Sequence, residues 1–146
     1  MNRSSLIVLA TTVVPALLLL VWGVRFIRRA RASLDWPVVA GTITESRVLR
    51  QGNTRSPRVS YGYVAAARPQ VGYRLWVGPR SISASDPWAD RVAARYPVGA
   101  AVQVAVDPND PAYAVLEAGP RAIHWLPVAV AALFVAVTGF MAVIAI

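Results

Sequence analysis

The sequence predicts a membrane protein of the α+β class, in which two transmembrane helices flank a small five-stranded antiparallel β domain with one short helix. The composition is the first indication, because 56% of the 146 residues are hydrophobic and only 15% are charged, which is too apolar for a soluble domain of this size. The second is a pair of long uncharged segments. The third is the stretch between them, where β-branched and aromatic residues recur in short runs bounded by turn residues.

The two uncharged segments, residues 6–24 and 125–146, contain no Asp, Glu, Lys or Arg. Each has about 20 residues, which as a helix spans the roughly 30 Å of a hydrocarbon core. We expect both to be transmembrane helices, with residues 1–5 as a short N-terminal tail. A cleaved signal peptide is the alternative for the first segment, because Ala30-Arg31-Ala32 resembles a cleavage site. The segment is too long for that role, and arginines lie between it and the site.

Positive charge is concentrated beside these segments. The net charge of +8 comes from 15 basic residues, all arginine, against 7 carboxylates. The arginines that flank the segments are Arg3, Arg25, Arg28, Arg29, Arg31 and Arg121. By the positive-inside rule, the cluster after the first segment predicts a cytoplasmic central domain with both chain ends outside. We assign residues 25–35 and 120–124 to juxtamembrane segments. The predicted membrane-interface residues are Arg25, Arg28, Arg29, Arg31, Trp22 and Trp125.

The central domain, residues 36–119, is predicted to contain five strands and one helix. The strands are expected at residues 38–49, 58–64, 71–77, 101–106 and 113–117. A helix begins at Asp86-Pro87, with Asp86 as its N-cap, and turns are expected at residues 51–54 and 107–111. The order β-β-β-α-β-β is that of OB-type five-stranded barrels, although a small sandwich or an open roll gives the same order.

The side-chain pattern indicates which faces are buried. Val59, Tyr61 and Tyr63 share one face of the second strand. In the third strand one face is expected to carry Val71, Tyr73, Leu75 and Val77, and the other Arg74 and Trp76. One face of the helix carries Trp88, Val92 and Tyr96, and Pro97 and Gly99 end it. Gly41 predicts a bulge or bend in the first strand.

Four pieces of the central domain match a known pattern. They are Trp36-Pro37 with Gly41, Ile43 and Ser46; Val59 with Tyr61 and Tyr63; Tyr96-Pro97 with Gly99; and Val106-Asp107-Pro108 with Pro111, Ala114, Val115, Leu116 and Glu117. In these pieces the sequence resembles the bacterial membrane-protein family catalogued as domain of unknown function 3592. The resemblance implies a membrane-tethered architecture in the bacterial cytoplasmic (inner) membrane, and no activity, cofactor or catalytic residue. Residues 65–74 depart from the family, whose members tend to carry a glycine turn and a second aromatic strand there.

No catalytic, cofactor-binding or metal site is predicted. The chain contains no cysteine, and a single histidine, His124, does not make a metal site or a catalytic triad by itself. Asp107 and Asp110 lie in a Pro-rich turn without the spacing of a calcium-binding loop. We interpret Asp86 and Asp90 as a helix cap and its neighbour rather than as an acid/base pair. Phosphate-binding and dinucleotide-binding motifs do not occur.

One charged feature remains, at the turn of the first predicted hairpin. The residues that we name the hairpin arginines are Arg47, Arg50, Arg55 and Arg58. On an OB-like barrel this loop often binds ligands, so the hairpin arginines are a candidate anion-binding site. A solvated hairpin tip is the simpler interpretation, because residues 35–119 have only nine arginines against 7 carboxylates.

We therefore expect a membrane-anchored, non-enzymatic interaction or accessory domain that uses no cofactor. Its expected partners are the lipid bilayer and either another protein or a second copy of the chain, whereas nucleic acid is not favoured. The alternative is a sensor or binder of an anionic ligand, either a lipid headgroup or a nucleic acid, through the hairpin arginines.

Overall fold

The computed structural model describes the backbone of residues 3–79 and 86–144, and the side chains of residues 11–79 and 87–140. The chain forms two compact units, one of residues 1–29 with 120–146 and one of residues 30–119. A short 3-10 turn, Ser33–Asp35, follows the first helix. The helices and strands are α1 (Arg3–Ala32), β1 (Val38–Gln51), β2 (Thr54–Ala65), β3 (Arg68–Gly72), α2 (Asp86–Arg95), β4 (Ala101–Asp107), β5 (Asp110–Val115) and α3 (Ala122–Ile144).

The first unit is the pair of helices α1 and α3. By length and composition, both helices could cross a membrane. Small residues let them pack closely, since a Cβ atom on Gly23 would lie only 3.0 Å from Val128 Cγ2. Their other faces expose large apolar side chains, such as Leu18 at 66% and Leu133 at 63% exposure. α1 also continues past the predicted first segment, so the arginine-rich stretch is helical as far as Ala32.

The second unit is built on one antiparallel sheet with the strand order β3-β2-β1-β4-β5. The predicted order β-β-β-α-β-β is confirmed. β3 and β5 are the two edges, and no strand ladder joins them within the described ranges. The sheet is therefore open, which does not support the barrel form of the prediction. Backbone hydrogen bonds join the two edges beyond their ends, where Leu116 N–H donates to Arg74 O at 3.3 Å and Glu117 N–H donates to Leu75 O at 2.6 Å.

One face of the sheet and α2 enclose the hydrophobic core. The alternation in β2 is confirmed, because Val59, Tyr61 and Tyr63 are each at most 4% exposed. The predicted face of α2 is also confirmed: Val92 is buried, and Trp88 and Tyr96 pack half-buried against the same cluster. The side chain of Asp86, the predicted N-cap, lies outside the described residues.

The third strand differs from its prediction. β3 ends at Gly72, and residues 73–77 lie outside the sheet. The predicted faces are wrong, because Leu75, Trp76 and Val77 are all buried while Val71 is 52% exposed. A chain that leaves the sheet and joins the core no longer follows a period of two, so alternation misassigned these residues.

Both predicted turns form, the first with the predicted bounds and the second one residue shorter than predicted. Gln51 pairs with Thr54, and Asp107 pairs with Asp110, so each hairpin loop has two residues. β2 and β5 consequently begin earlier than predicted, at Thr54 and Asp110. Gly52 in the first loop has a φ of 58°, a conformation that glycine adopts without strain.

Gly41 has a different role from the predicted one. The irregularity in β1 lies between Ile43 and Glu45 rather than at Gly41. A Cβ atom on Gly41 would stand 2.7 Å from Val104 Cγ2 and 3.0 Å from Gly62 O. Glycine is therefore needed at this position because two neighbouring strands approach it closely.

Candidate functional site

The hairpin arginines form two pairs across the β1–β2 ladder. Arg47 is opposite Arg58, and Arg50 is opposite Arg55. Because side chains alternate along a strand, the spacing of three residues puts the two pairs on opposite faces. Arg50 and Arg55 share the face of the sheet that carries α2, and Arg47 and Arg58 share the outer face. The four side chains are therefore not gathered into a single site.

Carboxylates neutralise one arginine of each pair. Arg47 Nε lies 2.5 Å from Glu45 Oε1, and Arg55 Nη1 lies 2.8 Å from Asp90 Oδ2. Arg50 and Arg58 are exposed and have no carboxylate within ion-pair distance in the described part of the chain. Anion binding by the hairpin arginines stays a prediction, and among the described side chains Arg50 and Arg58 are the two hairpin arginines that no carboxylate neutralises.

The predicted membrane-interface residues all lie on the surface of their unit. Trp22 is 56% and Trp125 is 50% exposed, and the four arginines of α1 are exposed as well. The Trp22 ring stacks on Phe26 with 5.4 Å between ring centroids, and Phe26 lies 4.6 Å from the His124 ring. Exposed tryptophans beside exposed arginines are typical of helix ends at a membrane surface.

His124 has a structural role at the start of α3. Its side chain is fully buried, and its Nδ1 accepts the backbone N–H of Arg121 at 2.7 Å. The His124 backbone N–H in turn donates to Arg121 O at 3.0 Å. This reciprocal arrangement resembles a capping box, in which a side chain in the first turn satisfies a free N–H at the helix start.

The predicted Asp turn is held by its own carboxylates. Asp107 Oδ1 accepts the N–H of Asn109 at 2.9 Å, and Asp110 Oδ1 accepts the N–H of Ala112 at 3.2 Å. Such bonds fix the backbone of a turn. Within residues whose side chains are described, no group of three or more His, Asp or Glu is placed to hold a metal ion.

Two buried tyrosines reach from β2 to the edge strand β5. The Tyr61 hydroxyl lies 2.8 Å from both Arg74 O and Ala114 O, and the Tyr63 hydroxyl donates to Pro111 O at 2.9 Å. Burial raises the pKa of both phenols above the usual value. The sequence predicted that Tyr61 and Tyr63 lie on a buried face. It did not predict the bonds of their hydroxyls, because it does not show which strand lies opposite them.

A second polar contact joins the end of α2 to the chain after β5. Tyr96 donates its hydroxyl to Glu117 Oε1 at 2.6 Å, and Arg95 Nη1 lies 3.0 Å from the same oxygen. Burial, followed by the bond to Glu117, raises the pKa of Tyr96 to about 12. The bond to Glu117 also raises the pKa of Arg95. The carboxylate is thus engaged by two side chains of the same domain.

The sequence did not predict a cleft between the two edges of the open sheet. It has a volume of about 350 Å³ and is lined on one side by β3 and the two residues after it, and on the other by β5. Tyr73 and Arg74 lie at one wall, and Asp110 and Tyr113 lie at the other. The Arg74 guanidinium rests on the Tyr113 ring, 4.6 Å from its centroid.

Comparison with known proteins gave one result. A family model described as a domain of unknown function (DUF3592) matches residues 39–121, more than half of the chain. The chain belongs to this family. No curated protein and no solved structure matches it.

The residues that carry the DUF3592 resemblance build the fold. Gly41 lies at the close approach between strands, and Gly99, with a φ of 85°, donates its N–H to Ile43 O. The family tyrosines bind backbone carbonyls or Glu117. Asp107 closes the β4–β5 turn. In this DUF3592 domain, each of these groups therefore has a partner within the domain.

Proposed function

We propose that this DUF3592 protein is a membrane-anchored, non-enzymatic interaction or accessory protein of a bacterial cell, which acts on a protein partner or on itself as an oligomer. Its helices α1 and α3 cross the cytoplasmic membrane. The domain of residues 30–119 lies in the cytoplasm, and both chain ends lie outside. The domain works without a cofactor.

The surface of the helix pair supports membrane anchoring. The faces of α1 and α3 that do not touch each other expose large apolar side chains, including Leu17 at 54%, Phe134 at 52% and Val135 at 61% exposure. In water such a surface favours aggregation, whereas in a bilayer it contacts lipid chains. The backbone of each helix satisfies its own hydrogen bonds, as the hydrocarbon core requires.

The arginines of α1 support the orientation. Arg25, Arg28, Arg29 and Arg31 are all exposed near the end of α1 that leads into the domain. The N-terminal side of the same helix contributes only Arg3 before residue 25. Loops rich in arginine are retained in the cytoplasm, and anionic headgroups of the inner leaflet attract them.

One observation carries the non-enzymatic part of the proposal. The polar groups that match the family make hydrogen bonds inside the domain, such as the bond from Tyr61 to Ala114 O and the bond from Tyr96 to Glu117. An active site instead directs several polar groups into a pocket, where they meet a substrate. A domain whose polar groups bond to one another in this way is better suited to present a surface to a partner.

Isolation of the full-length protein from native membranes tests this function. The tagged chain would be extracted in a mild detergent, purified at high salt, and its mass measured in solution. We expect either a partner protein in near-equal amount or a defined oligomer of the chain. A control chain that keeps both helices and carries an unrelated soluble domain should purify alone.

Two results would contradict the proposal. A full-length protein that purifies as a monomer without any partner would remove the interaction function. An identical partner on the control chain would show that the helices, rather than the domain, make the interaction.

A further inference from the structure

α2 covers the inner face of the sheet, whereas the outer face is covered in part. Ala105 points to the outer face, because its neighbours Val104 and Val106 belong to the core. Ala105 and its partner Val115 are buried there, where the 3-10 turn Ser33–Asp35 contacts β4. Over β1, β2 and β3 the large apolar side chains of the same face are exposed, namely Val38 at 58%, Val64 at 60% and Val71 at 52%. A cluster of exposed apolar side chains indicates an interaction surface.

Val64 and Val71 form a ridge on the outer face, over β2 and β3. Val64 follows the core residue Tyr63, so its side chain points away from the core. Val71 pairs with Gly62, two residues before Val64, and therefore lies diagonally across the ladder from Val64. Because Gly62 has no side chain, the two valines stand above the floor beside them.

A hollow of about 370 Å³ lies on the same face, over β1 and β4. The exposed side chains that line it are those of Val38, Ala40, Ala101 and Gln103. Ala40 pairs with Gln103, and the small side chains of Ala40 and Ala101 leave the floor low. Neighbouring strands are about 4.8 Å apart, so the centres of the ridge and of the hollow lie roughly 10 Å apart, side by side.

The residues of the ridge and of the hollow are uncharged. The charged side chains of the outer face lie further along the hairpin, where Arg47 pairs with Glu45 and Arg58 is exposed. Residues 35–119 have nine arginines against 7 carboxylates, so two copies of the domain repel each other through their charges. An uncharged face brings two copies together with the least repulsion.

We propose that two copies of this chain form a symmetric dimer in the membrane through this outer face, with the ridge of each copy seated in the hollow of the other. This inference rests on the proposed interaction function and names self-association as its form. In a two-fold dimer the same surface of each copy meets itself, so that residue i contacts residue j and j contacts i. A ridge and a hollow side by side on one flat face satisfy this condition, whereas a different protein would need only one of them.

The size of the face indicates where the dimer forms. Four strands about 4.8 Å apart, each with roughly four residues of about 3.3 Å, give a flat area of roughly 250 Å² per copy. A stable complex in solution buries about 800 Å² per partner. The face is therefore too small to hold two free domains together. Helices α1 and α3 confine the copies to one membrane, which raises their effective concentration.

Disulfide cross-linking in native membranes tests how the two faces meet. The chain has no cysteine, so Val64→Cys marks the ridge and Gln103→Cys marks the hollow. The two variants would be co-expressed with different tags, and the isolated membranes oxidised. We expect cross-links mainly between differently tagged chains, because a disulfide needs Cα atoms about 4.4–6.8 Å apart. Cross-links mainly between identically tagged chains, or none, would overturn this arrangement.

Charged variants test the same contact without a cross-link. Val64→Asp buries a carboxylate against the uncharged hollow, and Gln103→Lys buries an ammonium group against the uncharged ridge. We expect each variant alone to raise the dimer Kd roughly tenfold, as measured by energy transfer between labelled full-length chains in liposomes. A mixture of the two variants should recover most of the pairing, because the introduced charges then meet.

Ala94→Asp is the matched control, since Ala94 is exposed on α2 and lies on the other side of the sheet. It should dimerise like the parent. Recovery in the mixture also shows that both variants fold. Dimerisation of Val64→Asp with the Kd of the parent, or variants that keep the Tm of the parent but do not recover in the mixture, would overturn the proposal.

Purification of the parent and of Val64→Asp from native membranes distinguishes the two levels of the argument. If both chains purify as the same oligomer, the interaction function stands and the outer face is the wrong contact. If a different protein purifies with the parent and is lost with Val64→Asp, the face binds that protein and the second copy is wrong. If the parent has no partner and forms no oligomer, the interaction function itself fails.

Discussion

Removing the Tyr61 hydroxyl tests how the open sheet holds its edges together. Tyr61 is fully buried in β2, and its hydroxyl lies 2.8 Å from Arg74 O and 2.8 Å from Ala114 O. One acceptor follows β3 and the other belongs to β5, so the hydroxyl links the two edges. The substitution Tyr61→Phe deletes this oxygen and leaves the ring in place.

The expected loss of stability follows from the number of bonds. A hydroxyl has one proton and donates to one carbonyl at a time. Arg74 O also accepts the N–H of Leu116 at 3.3 Å, so the carbonyl of Ala114 is the group that loses the bond. A buried polar group without its bond costs about 1–3 kcal/mol, and phenylalanine leaves no large cavity. We expect a loss of about 2 kcal/mol, or roughly 8–16 °C in Tm for a domain of this size.

Thermal unfolding of the full-length protein in detergent measures this loss. The near-UV circular dichroism follows the aromatic side chains, and three of the five tryptophans, Trp36, Trp76 and Trp88, lie in the domain. Tyr73→Phe is the matched control, because the Tyr73 side chain is 40% exposed and its change should cost less than about 0.5 kcal/mol. If Tyr61→Phe unfolds within a degree or two of this control, the hydroxyl does not hold the edges together.

Three further predictions follow from the described contacts. Gly41→Ala should cost about 1–3 kcal/mol, since its Cβ would stand 2.7 Å from Val104 Cγ2, while Gly62→Ala, with 3.7 Å to its nearest neighbour, should unfold like the parent. Because burial raises the pKa of Tyr96 from 10.0 to about 12, its neutral phenol stabilises the folded state. This stabilisation is complete below pH 10 and is lost as the pH rises through 12. Tyrosinate absorbance that titrates fully near pH 10 in the folded protein would contradict this. Changing all hairpin arginines to Gln should leave binding to anionic liposomes unchanged. The change should lower the free energy of unfolding by about 1 kcal/mol, mostly because of Arg55, whose side chain is only 17% exposed. A clear loss of liposome binding would support the anion-binding alternative.

Local patterns predicted the parts of the fold that depend on neighbouring residues. The alternation of Val59, Tyr61 and Tyr63 gave the buried face of β2, and the spacing of Trp88 and Val92 gave the buried face of α2. The two-residue period of a strand also implies that the two pairs of hairpin arginines lie on opposite faces of the sheet, because residues three apart in a strand do so.

The third strand was misplaced because its signals are not local. The turn before β3 contains Ala66 and Ala67 at φ values of 51° and 58°, where glycine or asparagine is usual. Without that signal, the pattern at residues 71–77 predicted a strand. Pairing with β2 fixes the true strand at residues 68–72, and pairing of this kind depends on residues that are distant in the chain.

The cleft could not be predicted for a similar reason. Its walls come from β3 and β5, about 40 residues apart in the sequence. Whether five strands close into a barrel depends on how the first and last edges meet. Here the backbone hydrogen bonds between the two edges join Arg74 and Leu75 to Leu116 and Glu117, and no run of neighbouring residues encodes that contact.

Labelling of single introduced cysteines tests the central claim of a membrane-anchored domain most directly. The chain has no cysteine, so one substitution creates a unique site for a membrane-impermeant maleimide. In intact spheroplasts, we expect labelling of Ile146→Cys, and we expect labelling of Asn53→Cys in the β1–β2 turn only after permeabilisation. Both variants should stay in the membrane during alkaline carbonate extraction. Release by carbonate would contradict membrane anchoring, and labelling of Asn53→Cys in intact spheroplasts would place the domain outside the cell.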